Sequence, residues 1–133
     1  MKINSDKVSV TADAEAIKTF LMDMNNVEHL LPQDKVKDFK GSVEQCSFKV
    51  QGGVTISLIQ NGSKESEEVY MKSGEGSPFP FSLTVHLEQM GENTEGYIHF
   101  DGEVNMFLKM MVEKPLTALF NYMSQKLKDH FEA

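Results

Sequence analysis

The sequence predicts an α+β fold: a curved antiparallel β-sheet wrapped around a long C-terminal helix, in the order β-α-α-β6-α. Three observations carry that prediction. Over residues 104–131 the apolar positions Leu108, Met111, Val112, Leu116, Leu119, Phe120, Met123, Leu127 and Phe131 recur mostly at three- and four-residue steps, the period of one helical face. Over residues 36–102, short alternating segments are punctuated by Gly, Asn and Ser, as in an antiparallel meander. The helix, about 40 Å long at 1.5 Å per residue, is the only predicted element large enough to cover the apolar face that such a sheet leaves open.

In chain order, residues 7–11 alternate as a half-buried first strand should. Thr11 or Asp13 can cap a first helix that buries Ala14, Ile17, Phe20, Leu21 and Met24 and stops at Asn25-Asn26. A second helical piece runs through Val27, Leu30 and Leu31 to Pro32, which disfavours helical geometry in the residue before it. Strands follow at 36–40, 44–51, 54–60 and 65–72. The turns between them fall at Gly41-Ser42, Gly52-Gly53 and the hairpin signal Asn61-Gly62. The loop 73–78 leads to a strand in which Phe79, Phe81, Leu83, Val85 and Leu87 share one face, with Pro80 near its start. Gly91-Glu92-Asn93 turns the chain into a last strand over 94–101. The inward set is Cys46, Phe48, Val50, Val54, Ile56, Leu58, Val69, Met71, Phe81, Leu83 and Val85. Pro115 removes one hydrogen bond from the last helix and predicts a bend between Met111 and Pro115.

A chain of 133 residues forms one domain, 1–133. Its net charge of −7 opposes binding to phosphate backbones or anionic surfaces, so nucleic acid is not an expected partner. Cys46 is the single cysteine, which rules out an intrachain disulfide. The first residues have no apolar core of a signal peptide, and no run approaches the roughly 20 apolar residues of a membrane span. A cytoplasmic protein without integral membrane association is the expectation.

Three stretches carry a family resemblance: Asn25-Asn26 through Leu30-Leu31-Pro32; Gly76-Ser77-Pro78-Phe79-Pro80-Phe81; and Asn105-Met106-Phe107-Leu108-Lys109-Met110-Met111 with Lys114-Pro115-Leu116. With the order of elements, they resemble small bacterial members of the START-like (SRPBCC) superfamily. That superfamily has the helix-grip fold and includes birch-pollen-allergen-like proteins and polyketide cyclases. The resemblance implies a hydrophobic cavity between sheet and last helix; function differs widely within such a fold.

That implication and the apolar helix face lead to a non-catalytic protein that binds a small hydrophobic or lipid-like ligand between sheet and helix. The expected ligand-binding residues are Phe48, Ile56, Met71, Phe81, Leu83, Phe100, Leu108, Met111, Val112, Leu119 and Met123. Met106, Met110 and Met111, with Phe107 and Phe120, could form an adaptable wall, although gap-filling in an ordinary core is methionine's commoner role. No cofactor is expected, and no metal either, because His29, His86, His99 and His130 have no ligand spacing. Alternation turns His86 outward. With Ile98 and Phe100 inward, Tyr97, His99 and Asp101 point out; a one-residue shift would bring that trio inside and make Tyr97 and His99 a candidate acid and base. On that alternative the protein is a cyclase- or hydrolase-like enzyme. A third reading is an interaction module with a filled core, with a protein partner or homodimer and an exposed apolar patch on the sheet or on loop 73–78. Loop 73–78 reads as a surface loop or a lid, and Asn105 as a helix cap.

Overall fold

The computed structural model describes residues 1–51 and 54–132. Its elements are β1 (Lys2–Asn4), β2 (Val8–Val10), α1 (Ala14–Leu21), a 3-10 helix (Met24–Leu30), β3 (Val36–Gly41), β4 (Gln45–Val50), β5 (Val54–Lys64), β6 (Glu68–Ser73), β7 (Phe81–Met90), β8 (Asn93–Gly102) and α2 (Met106–Phe131). All strand pairs are antiparallel, in the order β1-β8-β7-β6-β5-β4-β3, and β2 also pairs with β8. The expected curved sheet with a long closing helix is therefore the architecture, with one extra strand, β1, at the N-terminal edge.

That edge runs along β8 in two pieces. β1 pairs Asn4 with His99, and β2 pairs Val8 with Gly96. The first strand expected at 7–11 is only the second piece. The break is at buried Ser5, whose amide donates to the Ile98 carbonyl (2.9 Å) and whose hydroxyl accepts from the Ile98 amide (2.8 Å). The same hydroxyl lies 2.7 Å from that of Ser124 in α2, so one buried polar knot joins edge, sheet and helix.

Two local readings need correction. The first helix ends at Leu21, not at Asn25-Asn26; the Asp23 carboxylate accepts from the Asn25 amide and starts a 3-10 helix that contains both asparagines. Asn61-Gly62 is not a hairpin turn. β5 continues to Lys64 through a register shift between Gln60 and Ser63, with Gly62 at φ 89°, and the chain turns at residues 65–67. Glycine at positive φ serves a bulge as readily as a turn. The turn expected at Gly52-Gly53 lies outside the described residues.

The inward set is buried throughout except for half-buried Val54. Phe81, Phe100 and Phe120 stack from sheet to helix, with ring centroids 4.9 Å and 5.1 Å apart. α2 is capped by Asn105, whose side-chain oxygen accepts from the Leu108 amide (2.9 Å), and it continues as helix through Pro115. Val112, Leu116, Leu119, Phe120, Met123 and Leu127 are buried along its core face.

Candidate functional site

The place expected to hold a ligand is occupied by the protein itself. Between sheet and α2 there is a void of about 20 Å³, bordered by Leu58, Met71, Leu83, Val85 and Ile98 of the sheet and by Met123 and Leu127 of α2. That is room for about one water molecule. Of the residues expected to bind ligand, Phe48, Ile56, Phe81, Phe100 and Val112 are packed into this core, while Met71, Leu83 and Met123 border the void. Leu108 is half-buried. Met111 was expected inside and is 56% exposed; Met106, Phe107 and Met110 are 71–79% exposed. The first turns of α2 run ahead of the core, and the methionine wall faces solvent.

The reason is a second apolar stripe on the helix. Phe107, Met111, Pro115, Ala118 and Tyr122 are spaced 4, 4, 3 and 4 residues apart, so they share one helical face. All are exposed. This face adjoins the core face, and mixing the two stripes in one periodicity placed Met111 with Val112.

Beside the second stripe lies an open groove of about 580 Å³. Pro115, Ala118, Leu119 and Tyr122 form its helical wall; Pro32, Val36 and Val50 form the opposite wall, with Asp34, Lys35 and Gln51 at the rim. The backbone holds that wall in place: Val36 is paired with Val50, the Gln51 amide donates to the Lys35 carbonyl (2.8 Å), and the Lys35 amide to the Pro32 carbonyl (3.0 Å). Leu119 is the one expected ligand-binding residue that lines the groove. The other lining residues are not among those expected from the sequence, although the 4-4-3-4 spacing of the helical wall is visible there. Loop 73–78 contributes nothing to this lining, and Ser77 is fastened to β5 through Ser57.

The opposite face of the sheet carries the polar chemistry. Ile98 and Phe100 are buried, so Tyr97 and His99 point away from the core, and so does His86. His86 Nδ1 lies 3.2 Å from the Glu68 carboxylate, which also accepts from the Tyr70 hydroxyl (2.6 Å). Tyr97 stacks on His86 at 4.6 Å between centroids, with the Lys7 ammonium 5.5 Å from its ring, and the His86 and His99 rings are 6.4 Å apart. The hydrogen bond to Glu68, together with nearby negative charge, pushes the Tyr70 phenol up. The register that would turn Tyr97 and His99 toward α2 is not the one adopted; on the outer face Tyr97 and His86 instead line an open depression of about 970 Å³ with Lys7, Glu67, Glu68 and Glu95. Burial pushes the Cys46 thiol up to about 12, which removes it as a nucleophile near neutral pH. Among the described residues, no three His, Cys, Asp or Glu side chains converge as metal ligands. None of their helices is long and apolar enough to cross a membrane.

No protein-family model matches the chain, and no curated protein matches it in sequence. Solved structures do match. A START superfamily protein from Mycobacterium smegmatis is similar at 16% identity and TM-score 0.70, covering 98% of this chain and 97% of that one. Norcoclaurine synthase from Thalictrum flavum is similar at 15% identity and TM-score 0.70, covering 98% and 85%. The Aha1 dimer from Colwellia psychrerythraea is similar at 16% identity and TM-score 0.68, covering 99% and 96%. These likenesses establish the START-like helix-grip fold and nothing finer.

Proposed function

We propose that this protein binds a small hydrophobic or lipid-like ligand without catalysis, and that the ligand lies in the groove between α2 and the β3–β4 corner. The observation that carries this reading is the groove itself. About 580 Å³ with apolar walls and a few rim polar groups is the usual make-up of a small-molecule site. The core residues Phe48, Ile56, Phe81, Phe100 and Val112 then hold the walls apart rather than touch the ligand, while Leu119 touches it and Met111 extends the helical wall. The fold is shared with norcoclaurine synthase, yet Tyr97 and His99, the candidate acid and base, face the other side of the sheet from this groove.

The test is a neutral apolar fluorophore such as Nile red, titrated into the protein and into Ala118→Trp, where an indole at an exposed position fills the groove. Saturable one-to-one binding that Ala118→Trp weakens at least about tenfold, a loss of about 1.4 kcal/mol, is the expected result. Binding that ignores the substitution sinks the assignment.

A second reading has its own support. Met106, Phe107, Met110 and Met111 form an exposed apolar surface at the start of α2, not on the sheet or loop 73–78 where such a patch was expected, and it is of the kind that mediates association with a protein partner or a second copy. Light scattering over a wide concentration range tests the homodimer. A monomer throughout, with no partner lost from Met106→Ser/Met110→Ser in pull-downs, sets this reading aside.

A further inference from the structure

Resting on the groove reading above, we infer that the ligand is an uncharged single-chain amphiphile longer than the groove, whose chain runs along α2 from Tyr122 past Pro115 to Met111 and Phe107. At about 100° per residue, Phe107, Met111, Pro115, Ala118 and Tyr122 fall within about 80° of one another. Exposed Met106 and Met110 point about 100° or more away from the middle of that face. Half-buried Leu108 and buried Leu119 flank it on the core side, so the apolar shelf is two side chains wide. Pro115, Ala118, Leu119 and Tyr122 line the groove, and Phe107, Leu108 and Met111 prolong the same shelf toward the helix start. From Phe107 to Tyr122 it is about 22 Å long at 1.5 Å per residue, the reach of an extended chain of about 18 bonds at about 1.2 Å each. The groove residues account for less than half of that length.

Charge along the shelf sets the direction of the ligand and the nature of its head. No charged residue falls on this face between Phe107 and Tyr122, whereas past Tyr122 it turns polar with Gln125, Lys126 and Asp129. The chain therefore points to the helix start and the head lies at the Tyr122 end. Ionic groups near that end balance: one lysine and one aspartate on the helix, Lys126 and Asp129, and one of each at the groove rim, Lys35 and Asp34. In a protein whose net charge is −7 nothing there favours an anionic head, while the Tyr122 hydroxyl and the Gln51 amide offer hydrogen bonds to an alcohol or ester. Phe107 and Met111, 71% and 56% exposed, are the surface that the far part of the chain withdraws from water.

The experiment is displacement of Nile red from the intact protein by monocaprylin, monolaurin and monopalmitin, each below its aggregation concentration, with dodecanoate as the ionised comparison, repeated with Phe107→Ser/Met111→Ser and with Ala118→Trp. Affinity should rise at least about tenfold at each step from monocaprylin to monolaurin to monopalmitin, since every further carbon leaves water for the shelf. Phe107→Ser/Met111→Ser should cancel the second step, and Ala118→Trp should weaken all three ligands. Dodecanoate should bind less tightly than monolaurin. No gain from monolaurin to monopalmitin in the unaltered protein, or a gain that the two serines leave intact, overturns the long-chain inference and leaves the groove standing. Tighter binding of dodecanoate overturns the uncharged head. A fall in oligomeric state on Phe107→Ser/Met111→Ser, seen by light scattering, assigns the shelf to a second copy and also overturns the inference. Failure of Nile red itself to bind is the separate result that removes the groove reading.

Discussion

The two halves of α2 are similar in apolar content and opposite in use. From Leu116 to Leu127 the helix buries Leu116, Leu119, Phe120, Met123 and Leu127 against the sheet, whereas Met106, Phe107, Met110 and Met111 at its start are in water. Apolar content therefore says little about burial unless the stripe is resolved by angle as well as by step. One stripe closes the core; the other borders the groove and continues past it.

The contrast can be broken in several places. Phe120→Ala removes the ring that joins helix to sheet and should cost about 3–5 kcal/mol in urea unfolding, as large-to-small changes in packed cores do. A cost below about 1 kcal/mol would mean that the C-terminal half is not the anchor. Ser5→Ala leaves the buried Ile98 amide and the Ser124 hydroxyl without their shared partner, for an expected loss of about 1–3 kcal/mol by the same measurement. Asn105→Ala removes the cap at the exposed end and should cost about 1 kcal/mol. Met106→Ser/Met110→Ser should leave stability within about 0.5 kcal/mol of the parent, because neither side chain is packed.

Cys46 gives a pH-dependent version of the same comparison between inside and outside. Burial raises its pKa to about 12 in the folded state, so the neutral thiol is the folded form. The stability associated with it is fully present below the unfolded thiol's pKa of about 8.5 and is lost as pH rises toward 12. Cys46→Ala should flatten that part of the stability–pH curve. In the folded protein at pH 8, the thiol should resist alkylation on the timescale that modifies unfolded chain, a difference read by mass spectrometry.

Much of this architecture was legible because burial and period agree within strands. Cys46, Phe48, Val50, Ile56, Leu58, Val69, Met71, Phe81, Leu83 and Val85 all face inward as alternation requires, and His86 faces out. The cap at Asn105 was equally readable, since a short oxygen-bearing side chain suits the start of an apolar helical run, whereas Thr11 and Asp13 both fitted the first helix and the structure uses Asp13. Less legible was whatever depends on how two elements meet. Asn61-Gly62 suits both a hairpin and a bulge, and only the pairing of β5 with β6 decides between them. Likewise, whether a gap remains between sheet and helix depends on how side-chain volumes fit, which periodicity does not report. The groove was missed because its walls come from Pro32, Val36 and Val50 on one side and an overlooked helical stripe on the other.

α2 follows every strand that it covers. A chain leaving the ribosome thus completes β8 while the concave side of its sheet, from Phe48 to Phe100, has no lid, and non-specific aggregation is then the competing fate. Synthesis of this protein should be most sensitive to chaperones in the interval before Leu116 to Leu127 emerge. Truncations within that interval should accumulate in the insoluble fraction, although every strand is already present.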